Sequence, residues 1–361
     1  MELNERNRNI LRAIVASYIE LAFPVGSQTV TKNFSFGLSP ATIRNIMADL
    51  EGMGYLWQPH PSAGRVPTSK GYRVYVDELL EESRPALFQE GFLEENYLGT
   101  KSEDIHVLLQ ETTRMLSLLS HYAGVVLAPN FSKAFLDRIE FILLRRGHVL
   151  VLQVSKDGLV QHRVIEADPD LTQKDLTRTS AFLNEKFGGR GLEEIRGQLL
   201  DEMKAEKDLY DRLLQKAIEL GQRAFSELPS EELYVEGTSN MLDLPDFADT
   251  EKMRDLFRAF EEKAVILKLL NTCLEAEGVQ IFIGSEMRHP GINECSLVVS
   301  SYKSGSHAVG KLGVIGPTRM DYARVIPLVE QTAKLLGRLL DKFDDKFDGK
   351  FDGKFDPNDG E

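Results

Sequence analysis

Across residues 4–21 the apolar positions Ile10, Leu11, Ile14, Val15, Tyr18 and Leu21 recur at helical spacing, which predicts a first helix closed by Pro24 and Gly26. Ser27 opens a short second helix carrying Val30 and Phe34, and Gly37 and Leu38 turn the chain into a third. In that third helix, from Ser39 to Gly52 or Gly54, the residues Ile43, Ile46, Met47 and Leu50 form an apolar stripe. Ser39 suits its N-cap, and Pro40 its first position, where the missing N–H costs nothing. Tyr55 to Gln58 reads as a short strand and Arg65 to Pro67 as its return, around the loop Pro59-His60-Pro61-Ser62-Ala63-Gly64, too rich in Pro and Gly for regular structure. A fourth helix starts at Thr68 and Ser69 and runs through Tyr72, Val76 and Leu79. Three helices followed by a two-stranded hairpin make the winged form of the helix-turn-helix.

Beyond it the period changes. Residues 81–102 are polar and irregular and read as a linker. A helix from Ser102 to about Ser120 precedes strands at Gly124–Ala128, Arg138–Leu144, His148–Val154 and Leu159–Ile165, with hairpin turns at Arg145-Arg146-Gly147 and Lys156-Asp157-Gly158. From Asp168 to Gly237 the chain turns to long charged helices, with Leu192, Ile195, Leu199, Leu213, Leu214 and Ile218 as their apolar positions. Strands return at Val279–Gly284, Cys295–Tyr302 and His307–Ile315, and a last helix runs Tyr322–Leu340. Sheet, helical excursion and sheet again predict an α/β domain interrupted by an insertion, and an α+β multidomain chain overall. The boundaries are a winged helix at 1–82, a linker at 83–102, the α/β domain at 103–167 and 241–341, the insertion at 168–240 and a tail at 342–361. The tail repeats KFDD, KFDG, KFDG and KFDP with no helical or core-forming pattern, and reads as disordered, with a Phe-bearing docking segment as the alternative.

Composition narrows the class. The 361 residues are 42% hydrophobic and 27% charged, as in ordinary globular proteins, and are long enough for two or three domains. There is no apolar run near the roughly 20 residues of a membrane span and no secretory h-region, so no membrane partner and a cytoplasmic location are expected. Cys273 and Cys295 make neither a disulfide framework nor a metal spacing, and read as small core residues. The net charge of −13 argues against nucleic acid only until its distribution is considered. Residues 1–76 hold eight basic and five acidic side chains, a balance of +3, against −16 for the remainder. Only the part that touches phosphate must be basic. A balance of +3 is also within ordinary charge scatter, so the pattern carries more than the sum.

That pattern points to double-stranded DNA. Ser39, Ala41, Thr42, Arg44 and Asn45 put small and polar groups on the first turns of a helix whose other face is apolar. Arg suits guanine O6 and N7, and Asn suits adenine N6 and N7. In the wing, Gly64 would let the loop approach a phosphate or groove floor, and Arg65 would enter a narrow minor groove. His60, Ser62 and Lys70 are wing and backbone-contact candidates. Exposed helix surface and a hairpin that serves only its turn are the plainer alternatives. Gly316-Pro317-Thr318 lacks phosphate-loop spacing and reads as a strand-to-helix turn, with Thr318 or Asp321 capping the last helix. No catalytic set, metal cluster or cofactor signature stands out, so no enzyme activity and no cofactor are expected.

Taken together, NERNRNILRAIVASYI, PVGSQTV, LSPATIRNIMADLEGMGYL, HPSAGRVPTSKGYRVYVD and KLGVIGPTRMDYARVI resemble the heat-inducible transcription repressors of bacteria, the HrcA family, over nearly the whole chain to about Leu340. The resemblance implies a winged helix-turn-helix, a GAF-like domain and an inserted dimerisation domain. It implies a homodimer on an inverted-repeat operator upstream of chaperone operons, with activity dependent on heat and on the chaperonin. It places the recognition helix on Ser39–Gly52 and the wing on Pro59–Lys70. A GAF-like label brings no ligand with it, and a winged-helix regulator that senses a small molecule through that domain is the alternative. The KFDG tail is a departure from the family pattern.

Overall fold

The computed structural model describes residues 3–81, 105–129, 135–156, 160–204, 220–221, 223–225, 232–242, 244–272, 278–304 and 307–351. The elements run α1 (Glu5–Leu21), α2 (Ser27–Asn33), α3 (Pro40–Gly52), β1 (Leu56–Trp57), β2 (Val66–Pro67), α4 (Ser69–Glu81), α5 (Ile105–Ser120), β3 (Ala123–Leu127), β4 (Leu136–Arg145), β5 (His148–Ser155) and β6 (Val160–Glu166). They continue as α6 (Gln173–Phe187), α7 (Leu192–Lys204), β7 (Leu233–Glu236), α8 (Thr250–Glu261), α9 (Lys263–Thr272), β8 (Val279–Ile283), β9 (Cys295–Ser304), β10 (His307–Pro317) and α10 (Tyr322–Phe351). The linker expected at 83–102 and the apolar positions Leu213, Leu214 and Ile218 lie outside the described residues, as does Cys273.

The chain forms two units, the first comprising residues 1–126, 233–301 and 311–333. Its N-terminal part is the expected winged helix. The Asn4 side chain accepts the Asn7 N–H at 2.8 Å and caps α1, which buries Ile10, Leu11, Ile14 and Val15. α2 and α3 pack on this face through Val30, Ile43, Ile46, Met47 and Leu50, all buried. β1 and β2 pair antiparallel, and a further bridge between Val25 and Arg65 adds a third extended segment to the wing's base. The unit also contains most of a five-stranded sheet in the order β7-β3-β10-β9-β8. β3 is buried at every position, as a strand covered on both faces must be. β8 and β9 pair antiparallel from Val279↔Ser300 to Ile283↔Ser296. Cys295 on β9 is 1% exposed, and burial pushes its thiol well above the ordinary range, so it is an inert core residue. At the last helix Asp321, not Thr318, is the cap: its carboxylate accepts the Arg324 N–H at 3.3 Å, while Thr318 N–H donates to the Glu294 carbonyl.

The second unit comprises residues 127–232, 302–310 and 334–361. β4, β5 and β6 form an antiparallel meander separate from the five-stranded sheet. Its apolar face, with Ile139, Phe141, Val149 and Val151, buries Leu176, Leu183 and Phe187 of α6 and Leu192, Ile195 and Leu199 of α7 in one core. The insertion expected to begin at Asp168 therefore has its boundary inside this unit, between a sheet and the helices that cover it. The free edge of β4 is closed by side chains of α6. Asn184 exchanges two hydrogen bonds with the Ile139 backbone (2.7 and 3.0 Å), Ser180 accepts from Phe141 N–H, and Gln173 bonds both Leu143 N–H and the Phe141 carbonyl. Three polar residues thus do for this edge what a neighbouring strand would. The backbone of α10 stays helical to Phe351, past the expected end at Leu340 and into the KFDG repeats; residues 352–361 lie outside the described residues.

Candidate nucleic-acid interface

Both ends of α3 are fixed. At its start Ser39 is extended (φ −71°, ψ 153°), its Oγ accepts the Thr42 N–H at 3.1 Å and meets Thr42 Oγ1 at 2.9 Å, and Pro40 takes the first helical position. At its end Tyr55 N–H bonds the Leu50 carbonyl and Gly54 N–H bonds the Glu51 carbonyl, both 2.9 Å, with Gly54 at φ +78°. This is a Schellman closure, and the left-handed position is why glycine stands there. Lys70 Nζ donates to the Met53 carbonyl at 2.9 Å and lies 4.2 Å from the Tyr55 ring centroid, adding positive charge at the negative end of the helix.

Between those ends, Ile43, Ile46, Met47 and Leu50 are buried and Ala41, Arg44, Asn45, Ala48 and Asp49 are exposed. Neither the Arg44 nor the Asn45 side chain makes a hydrogen bond or ion pair with any described residue. The outward face therefore carries a guanidinium fork and a carboxamide flanked by the Ala41 and Ala48 methyl groups, with the Asp49 carboxylate toward the helix's C-terminal end, on a helix narrow enough to enter a major groove. Thr42 is half-buried and its hydroxyl is engaged by Ser39.

The wing uses its residues differently. Gly64 sits against Val25, and a Cβ there would lie 2.4 Å from the Val25 carbonyl carbon and oxygen. Its smallness serves this packing. Arg65 exchanges backbone bonds with Val25 at 2.8 and 2.9 Å, and its side chain, 16% exposed, turns back to Glu51 at the end of α3. Nε lies 2.8 Å from Glu51 Oε2, an ion pair rather than a linear hydrogen bond. Arg65 is therefore held away from the open position that a minor-groove reader needs. His60, Pro61 and Ser62 form the exposed tip, braced from below by Gln58, whose amide donates to the Pro61 carbonyl at 3.0 Å and the Ala63 carbonyl at 2.8 Å. Sequence reasoning passed over Gln58; its place just before the Pro/Gly-rich loop is the signal that was available. It also passed over Trp57, 48% exposed on β1.

Among the described residues no group of His, Cys, Asp and Glu could hold a metal ion, and no helix is long and apolar enough to cross a membrane.

Two family models match this chain: one described as the winged helix-turn-helix transcription repressor, HrcA DNA-binding, over residues 2–79, and one as the HrcA protein C terminal domain over residues 106–326. The heat-inducible transcription repressor HrcA of Geobacter sulfurreducens is 48% identical over 337 residues, which cover 93% of this chain and 98% of that protein. Its namesake in Syntrophobacter fumaroxidans is 43% identical, covering 93% and 97%. A solved structure of a hypothetical protein, 24% identical, aligns with a TM-score of 0.58 over 94% of this chain and 98% of that one, a likeness of fold.

Proposed function

The chain belongs to the HrcA family of heat-inducible transcription repressors, and on that premise we propose that it acts as a homodimer on an inverted-repeat DNA operator of chaperone genes. The observation that carries this reading is the exposed, unpaired Arg44 and Asn45 on a helix fixed at both ends. A two-fold protein places two such helices in successive major grooves about one helical turn apart, and bound there it obstructs transcription. Ser39, Ala41, Thr42, Arg44 and Asn45 face the bases or the adjoining phosphates, and His60 and Ser62 at the wing tip face the backbone. Gly64, Arg65 and Lys70 hold the reading helix and wing in shape. The second unit supplies the dimer contact.

Heat enters through stability. A partner that binds only the folded form raises the folded population by mass action without touching any DNA contact. Chaperonin in this role restores the repressor until heat-damaged clients occupy it, and chaperone genes are then released.

Selection of duplexes from a random pool tests the reading directly. Enrichment of an inverted repeat, bound by a species that sediments as a dimer, is the expected result; enrichment of no sequence would overturn it. Operator binding should fall on mild heating and recover better with chaperonin than with a non-chaperone protein. Equal recovery with both would remove the chaperonin from the mechanism.

A further inference from the structure

Within the first unit the winged helix is fastened to the sheet by two arginine forks reaching in opposite directions. From the reader, Arg73 on α4 grips Glu286. Its Nε lies 3.0 Å from Oε1, its Nη2 contacts Oε2, and the same Nη2 donates to the Ile281 carbonyl of β8 at 2.7 Å. Glu286 is itself held, since Oε2 accepts the Ile283 N–H at 2.9 Å. From the sheet side, Arg319, in the loop after β10, is held by Asp246. Its Nε lies 2.8 Å from each carboxylate oxygen, with both side chains under 20% exposed. Its Nη1 reaches the Ile19 carbonyl, 3.5 Å away in the last turn of α1, where helix carbonyls lack partners. Between the forks, Tyr72 of α4 is 2% exposed and packs on Tyr322, ring centroids 6.2 Å apart. Gly284 (φ +55°) lets the start of α4 sit close, because a Cβ there would lie 2.6 Å from Ser69 Oγ.

The chemistry of these contacts matters as much as their number. Apolar surfaces tolerate sliding, whereas planar guanidinium–carboxylate pairs fix direction as well as distance. One fork projects from α4 and the other reaches α1 from the loop after β10; with a ring contact between them, they restrict rotation of the reader on the sheet.

We propose that Arg73–Glu286 and Arg319–Asp246 form a clasp that sets the orientation of the reading helix, and through it the half-site separation that the dimer accepts. These four are positioning residues for DNA binding. The proposal rests on the two-fold operator reading above. Neither pair touches the exposed face of α3, so the clasp acts on how two readers are presented and leaves each reader's own affinity alone.

The test uses the full chain and the duplexes enriched by wild-type protein, in three forms: the native inverted repeat, the repeat with its half-sites moved apart by increasing insertions, and a single half-site. Arg73→Ala and the milder Glu286→Gln are compared with wild type, alone and combined. Each variant should bind the single half-site within about twofold of wild type, which also reports that its winged helix is folded. Affinity for the native repeat should fall about tenfold, because a loosened reader lowers the effective concentration of the second half-site. The penalty for inserted base pairs should shrink, and the double variant should lose no more than Arg73→Ala alone. Unchanged spacing preference in both variants would overturn the clasp while leaving the operator reading intact, and so would a gain in affinity for the native repeat. Absence of any enriched duplex would instead strike the operator reading itself.

Discussion

The reading helix and the wing draw on similar residue types and use them in opposite ways. The Arg44 side chain on α3 is exposed and makes no hydrogen bond or ion pair with a described residue, whereas Arg65 in the wing is 16% exposed and tied to Glu51. Asn45 projects outward, yet the carboxamide of Gln58 is turned in to hold the wing's own carbonyls. The difference follows from local geometry. A helix satisfies its own backbone, so its outward side chains are free for a partner. A loop with Pro59, Pro61 and Gly64 has few backbone pairs of its own and recruits side chains to supply them. A polar residue in an irregular loop is thus weaker evidence of ligand contact than the same residue on a capped helix.

The largest way to break this contrast is Gly64→Val. The added Cβ would meet the Val25 backbone, which cannot move aside as a flexible side chain would. The expected cost is about 3 kcal/mol of stability, at the upper end of overpacking penalties, read as a lower melting temperature. If Gly64 served only a phosphate approach, the melt would be unchanged and DNA affinity alone would fall.

Arg44→Ala should act on the other side of the contrast. Loss of a bidentate base contact should weaken operator binding by roughly 1–3 kcal/mol and relax selectivity at one position in each half-site. The melting temperature should stay within experimental scatter, because Arg44 supports no described neighbour. A competition series in which the variant keeps wild-type base preference would remove Arg44 from readout.

Arg65→Ala sharpens the comparison with Arg44. It should lower stability by up to about 1 kcal/mol, the range for an ion pair with one partly exposed member once solvent screening is counted. Base preference should not change. A shift confined to AT-rich flanks would show that Arg65 leaves Glu51 and enters the minor groove on binding.

Much of this was legible beforehand. The stripe Ile43, Ile46, Met47 and Leu50 placed α3, and Ser39-Pro40 marked its start, because caps and periodicity are local properties. The strands of the second unit were also located within a residue or two. Which sheet they join was not legible. Alternation along β5 says that one face is covered, but not whether by the five-stranded sheet's helices or by α6 and α7. Within the site, the Glu51–Arg65 and Arg73–Glu286 pairs were hidden for the same reason, since no local pattern links residues whose meeting depends on the tertiary fold. For Gly64 the sequence shows that the missing side chain matters, while the Val25 backbone it packs against is visible only in the fold.

Lys70 is the subtlest case, because it belongs to neither side of the contrast outright. It is exposed, as a phosphate contact should be, yet its ammonium already donates to the Met53 carbonyl and covers the Tyr55 ring. A cation at a helix C-terminus contributes about 0.3–1 kcal/mol at an exposed site, and that interaction is screened by salt. Lys70→Ala should therefore lower the melting temperature slightly, more at low than at high ionic strength. A residue engaged in this way releases no counterion from DNA, so the slope of log affinity against log salt should match wild type. Removing a lysine that neutralised a phosphate would instead make the slope shallower by about 0.9. Measuring both slopes on the same protein decides between the two roles: a shallower DNA slope with a salt-independent melt would assign Lys70 to the phosphate backbone, and would move the whole C-terminal end of α3 from support to interface.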